Sequence, residues 1–120
     1  MKYMLLIYNN RANIDALSQD ERAAIFGNVD RVVRELTESG ELIDGEGLAD
    51  ESNTRTVRVR EGVPAITDGP FAEAKEQLIG YFIVDCETLE RATEIAAQWP
   101  DAQLGAIEVR PLMVEAGTEM

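Results

Sequence analysis

The chain contains no histidine. That removes the usual proton carrier near neutral pH and the commonest metal ligand, so any catalysis must use carboxylates, Lys75, tyrosines or Cys86. Cys86 is the sole cysteine, which leaves nothing to close an internal disulfide and fits a reducing cytoplasm. Basic residues are scarce, with 11 Lys and Arg against 23 Asp and Glu and a net charge of −12. Nucleic-acid phosphates need a clustered basic surface, so no nucleic-acid partner is expected, and an anionic membrane face is excluded on the same ground. Long hydrophobic runs are missing too. Tyr3 to Tyr8 is too short for a membrane span and lacks a signal peptide's cleavage region. The expectation is a soluble cytoplasmic protein with no cofactor.

What is present is one domain's worth of sequence, 120 residues, expected to fold over 1–114 with a frayed tail at 115–120. Tyr3-Met4-Leu5-Leu6-Ile7-Tyr8 has the continuous apolar character of a strand covered on both faces. Asn9 to Asp15 reads as a polar loop. Ser18-Gln19-Asp20-Glu21 then has the spacing of a capping box, and Ile25, Val29, Val32, Val33 and Leu36 share one helical face. The helix is expected over 19–39, stopped at Gly40. A strand follows over 41–48, ending in Gly45-Glu46-Gly47. Residues 54–60 alternate cleanly, Glu61-Gly62 reverses the chain, and Pro64 confines the returning strand over 63–67 to an edge. Leu78 to Asp85 reads as a buried strand, Thr88 to Trp99 as a helix ended by Pro100, and Ala106 to Val114 as the last strand.

Without the central hairpin this order is βαββαβ, a ferredoxin-like α+β arrangement with two helices on one face of an antiparallel sheet. The runs at 3–8 and 78–84 do not alternate as a water-facing sheet would. The second face is therefore expected to be covered, most simply by another copy in a symmetric homodimer.

The chain resembles the YCII-related domain family, in the branch named for its Asp-Gly-Pro-Phe motif. The residues that carry the resemblance are Lys2 to Tyr8, Gly45-Glu46-Gly47-Leu48, Thr67-Asp68-Gly69-Pro70-Phe71-Ala72-Glu73, Lys75-Glu76-Gln77-Leu78, Gly80-Tyr81, and Glu108-Val109-Arg110-Pro111-Leu112-Met113. The resemblance implies a ferredoxin-like domain that dimerises into an α/β barrel, with a pocket between sheet and loops. It also implies a functional link to sigma factors for some members. In the wider family it implies acid–base chemistry on small ring compounds through a histidine and an aspartate. A chain without histidine cannot carry that dyad.

The residues of the motif admit two readings each. Gly69 eases the crowding before Pro70, Pro70 suits the first turn of a short helix, and Asp68 then caps that turn or faces a ligand. Glu46, held between two glycines, is a turn residue or the base of a carboxylate pair with Asp68. Glu73, Lys75 and Glu76 form a solvated charged turn, unless burial of Glu73 or Lys75 brings a pKa toward neutrality. Tyr8, Phe71 and Tyr81 line a pocket or only pack. Arg58, Arg60 and Arg110 grip an anionic ligand or make cross-strand ion pairs. The acids from Glu35 to Glu51 match no EF-hand spacing, so no metal site is expected. Cys86 reads as a buried thiol. Three functions stay open: a small-molecule-binding domain near the Asp-Gly-Pro-Phe loop, regulatory and linked to sigma-factor control; an enzyme using Asp68 with Glu46 or Lys75; and a plain dimerisation module whose motif is structural.

Overall fold

In the computed structural model, which describes residues 1–72 and 74–113, the first apolar run forms β1 (Lys2–Asn9). It is a central strand, flanked on one side by β5 (Gln77–Asp85) and on the other by β6 (Ala106–Pro111). The strand β2 (Leu42–Gly47) closes the other edge of β5, which gives the order β2-β5-β1-β6 with every neighbour antiparallel. That is the strand order of a ferredoxin-like sheet, as the βαββαβ reading requires. The pair β3 (Arg55–Arg60) and β4 (Val63–Asp68) forms a separate two-stranded arm.

The helix α2 (Gln19–Glu38) forms where its signals lie. Ser18 Oγ accepts from the Glu21 N–H at 3.1 Å, and the Glu21 carboxylate accepts from the Ser18 N–H at 2.9 Å. Its last turn gives way to Gly40 at φ +79°, a conformation that favours glycine. The helix α3 (Leu89–Gln98) starts from a Thr88 cap and stops before Pro100. Two further helices depart from the sequence reading. Residues expected to be loop form α1 (Arg11–Asp15), capped by Asn10, whose side chain accepts from the Ala12 N–H. Pro100 ends α3 but also starts α4 (Asp101–Leu104), because its fixed φ suits a helix N-terminus as well as a stop. The last strand ends at Pro111, three residues short of the expected limit. Val114 and the tail expected to fray lie outside the described residues, as does Glu73.

Along β1, Tyr3, Leu5, Ile7 and Asn9 are buried, while Met4, Leu6 and Tyr8 are only half-buried. The buried set faces the helices and packs with Val32 and Leu36 of α2, Ala92, Ile95 and Ala96 of α3, and Trp99. The Phe82 ring meets the Trp99 ring at 4.0 Å between centroids. A Cβ at Gly45 would fall inside van der Waals contact with that Phe82 ring, so the absence of a side chain there is what admits the aromatic pair.

Among the described residues no helix packs over the other sheet face. Apolar Met4, Leu6, Tyr8, Tyr81 and Ile83 lie there between charged edges, since the register aligns Asp44, Ile83, Met4 and Arg110 in one row and Glu46, Tyr81, Leu6 and Glu108 in the next. The arm projects in the same unpartnered way. Val57 and Ile66, a cross-strand pair, are 60% and 62% exposed. The Cα radius of gyration is 16.5 Å, against about 13.6 Å for a compact chain of this length.

Candidate functional site

Two concavities lie on opposite faces of the four-stranded sheet. The Asp-Gly-Pro-Phe segment borders a wide recess of about 740 Å³ on the open face. Tyr8, Leu78, Pro70, Phe71 and the 48–54 loop surround it. The segment is built as a junction. Gly69, at φ +95°, turns the chain out of the arm; its N–H donates to the Thr54 carbonyl at 2.7 Å, and the Thr56 hydroxyl donates to its carbonyl at 2.8 Å. The Gln77 side-chain amide then donates to the carbonyls of Ala72 and Ala74. The expected short helix after Pro70 does not form among the described residues. Side-chain bonds from Gln77 hold these carbonyls instead.

These contacts settle several candidate positions. The Asp68 side chain is 93% exposed and lies 3.8 Å from its cross-strand neighbour Arg55, with no capping bond among the described residues. Glu46, its expected partner in a carboxylate pair, is exposed as well. Lys75 is exposed, so it is not the buried base that acid–base chemistry would need. Phe71 lines the recess at 72% exposure, with the Arg58 guanidinium 4.7 Å from its ring centre. That cation–π contact, rather than a cross-strand ion pair, engages Arg58. Tyr81 and Arg110 face the open sheet. Tyr8 lies between recess and sheet, where the Glu108 carboxylate beside its hydroxyl, helped by burial, pushes the phenol up from its ordinary value. Cys86 is buried, and burial raises its pKa, which makes it an inert thiol.

The second concavity lies beneath α2, and sequence reasoning did not find it. It is a cavity of about 280 Å³ walled almost wholly by apolar side chains. Ile7 comes from β1; Ile79 and Phe82 from β5; Ile25, Phe26 and Val29 from α2; Ile14 and Leu17 from α1 and the turn after it; Trp99 and Leu104 close the far end. Local chemistry explains how they meet. A bulge between Ile7 and Tyr8 shifts the β1–β5 register and brings Ile79 to the cavity side. Gly80 admits the β2 backbone, since a Cβ there would lie 3.0 Å from the Glu46 carbonyl. The Glu46 backbone borders the cavity at this edge, while the strand register turns its side chain to the open face.

Two further polar groups reach the cavity. The Arg22 guanidinium donates to the carbonyls of Ile14 and Asp15, which ties α1 to α2. The Asp101 carboxyl, in the first turn of α4, is half-buried, and desolvation pushes its pKa up despite a favourable contribution from Asn9. Asn9 is fully buried behind it. Its Oδ1 accepts from the Asn10 N–H at 2.8 Å, while its Nδ2 finds no partner of good geometry. An orphaned donor beside a desolvated carboxyl is an unusual pairing in a protein interior. The sequence offered little signal for either: Asn9 opened what read as a polar loop, and Asp101 followed a proline that read as a helix stop.

No helix among the described residues is long and apolar enough to cross a membrane, and no group of three His, Cys, Asp or Glu side chains among them is placed to hold a metal ion. A family model for the YCII-related domain matches residues 1–116. The chain is also similar to the uncharacterized protein R00369 of Rhizobium meliloti (strain 1021), with 35% identity over 114 residues that cover 93% of this chain and 92% of that one. Fold, motif order and both matches agree: the chain belongs to the YCII-related domain family.

Proposed function

We propose that this protein is a small-molecule-binding domain that works as a homodimer, and that its ligand occupies the cavity beneath α2 rather than the recess at the Asp-Gly-Pro-Phe loop. The observation that carries this reading is the cavity itself. It is open to solvent on one side, with Phe26 at its rim 66% exposed, so it leaves concave apolar surface that a small ligand would cover. This chain keeps about 280 Å³ open between its main helix and its sheet, with a carboxyl group on the wall. The apolar lining and few polar groups have the composition of a small-ligand site.

The homodimer reading rests on the open sheet face, where Met4, Leu6 and Tyr81 lie unpartnered, and on the equally unpartnered arm. The junction role of residues 67–77 supports a structural part for the motif, with the arm as what it positions. A regulatory role linked to a sigma factor is the setting the resemblance implies. The acid–base alternative would have to use Asp101, whose carboxyl is partly desolvated, because Asp68 and Lys75 are exposed.

The test is a thermal-shift screen with small phenols, amines and carboxylates. A ligand present at a hundred times its Kd should stabilise the native state by about 2.7 kcal/mol. Filling the cavity with Val29→Phe should abolish the shift, whereas Phe71→Ala at the recess should leave it intact. The reverse pattern would transfer the site to the recess. Light scattering tests the dimer separately: twice the 13.3 kDa chain mass is expected, and Leu6→Lys should halve it.

A further inference from the structure

The cavity beneath α2 holds a carboxylate without a cation. Every ion pair among the described residues is made by another acid: the Met1 amino group takes Asp85, Arg11 takes Asp50 and Glu51, Arg22 approaches Asp15, Arg31 Glu35, Arg55 Asp68, and Arg91 Glu41 and Glu94. Arg22, the cavity's own cation, is committed to the end of α1. Asp101 is half-buried on an otherwise apolar wall and has no ion-pair partner among the described residues, which leaves its carboxyl open to a cationic group of a ligand.

Three further observations define what completes it. Phe26, Phe82 and Trp99 line the same cavity, and aromatic faces attract ammonium groups through their quadrupoles. The buried Asn9 amide lies close to the Asp101 carboxyl and its Nδ2 has no hydrogen-bond partner of good geometry, so the polar groups at this wall are left short of partners. The chain carries a net charge of −12, whose field concentrates cations and repels anions. We infer that the cavity binds a small organic amine, with its ammonium group paired to Asp101 and its hydrocarbon or aromatic body among Phe26, Phe82, Trp99 and Leu104. The volume suits one ring bearing a short aminoalkyl chain. Asn9 is a positioning residue: it orients the carboxylate and does not touch the amine.

This inference rests on the ligand-pocket reading proposed above, and a matched series separates the two. Phenethylamine, 2-phenylethanol and phenylacetate share a body and differ in charge. Trp99 is the sole tryptophan and lines the cavity, so its fluorescence reports occupancy directly. Phenethylamine should bind at least tenfold more tightly than 2-phenylethanol, with phenylacetate weakest. Asp101→Asn should remove the preference, lowering amine affinity to that of the alcohol while alcohol binding persists. Asp101→Ala should do the same, which guards against a special effect of the new amide. Asn9→Ser should reduce the preference for amine over alcohol without removing alcohol binding. If the alcohol binds as well as the amine, the cation inference is overturned while the pocket reading stands. If none of the three perturbs Trp99 at millimolar concentration, both fall.

Discussion

Gly45→Ala is a one-methyl change with a calculable consequence. The new Cβ would overlap the Phe82 ring and lie 3.1 Å from the Tyr81 carbonyl, so the ring must move. It cannot move freely, because its centroid lies 4.0 Å from that of the Trp99 ring, tilted against it by 46°, and Trp99 is itself buried. Loss of that aromatic pair removes about 0.5–1.5 kcal/mol. Forcing a methyl into a packed site adds about 1–3 kcal/mol. The expected destabilisation is therefore about 1.5–4.5 kcal/mol, a large part of a domain's usual 5–15 kcal/mol. Gly47→Ala is the control on the same strand, since its Cβ would meet nothing within 4 Å. It should be neutral or stabilise by a few tenths of a kcal/mol through the unfolded chain. Urea denaturation followed by Trp99 fluorescence measures both. The Gly45→Ala midpoint should fall by about 0.5 M or more at unchanged slope, for a slope of about 1–3 kcal/mol per molar. Its native emission should change as the Phe82 contact is lost. A variant with the wild-type midpoint and spectrum would refute the steric account, and with it the explanation of why a glycine lies opposite Phe82.

Three other outcomes follow from the same contacts. Arg91 grips Glu41 with two bonds of 2.8 Å and so holds that carboxyl below its ordinary value; its stabilisation is complete above the unfolded pKa and is lost as pH falls through the folded one. Glu41→Gln should therefore destabilise at neutral pH, by about 1 kcal/mol for a partly solvated pair, and should flatten the acid limb of a urea-midpoint profile. Asp101 has the opposite sign, because its folded pKa is raised: its penalty is absent below the unfolded pKa and develops as pH rises through the folded one. Asp101→Asn should consequently raise the midpoint of the ligand-free protein at neutral pH and leave it unchanged in acid. At the junction, Asp68→Asn should stay within about 0.5 kcal/mol of the parent because its side chain is solvated, whereas Gly69→Ala, at φ +95°, should cost about 1 kcal/mol or more by thermal unfolding.

The sheet and long helices were legible because their information is local and repeated. Ser18 to Glu21 marks one end of α2 and Gly40 the other, while the apolar spacing between them specifies the buried face. The reversal at Glu61-Gly62 marks the arm just as clearly, with both residues at positive φ. The short helices were harder. Four or five residues hold little periodicity, so Asn10 and Pro100 looked like a loop and a stop rather than starts. The cavity was not legible for a different reason. Ile7, Val29, Phe82 and Leu104 come from four separate elements, and only the strand order and the bulge at Tyr8 bring them together. Motif chemistry drew attention to Asp68, which has the ionisable group but lies in water. Asp101 has the desolvation, which no spacing reports.

The claim at the centre of this account is that the space beneath α2 is a ligand site. Chemical-shift mapping by two-dimensional NMR with phenol as a neutral aromatic probe tests it most directly. Saturable shifts should appear in the amides of Ile14, Val29, Gly80 and Leu104, all at the cavity wall. Shifts confined to Phe71, Ala74 and Gln77, or none at millimolar phenol, would contradict it.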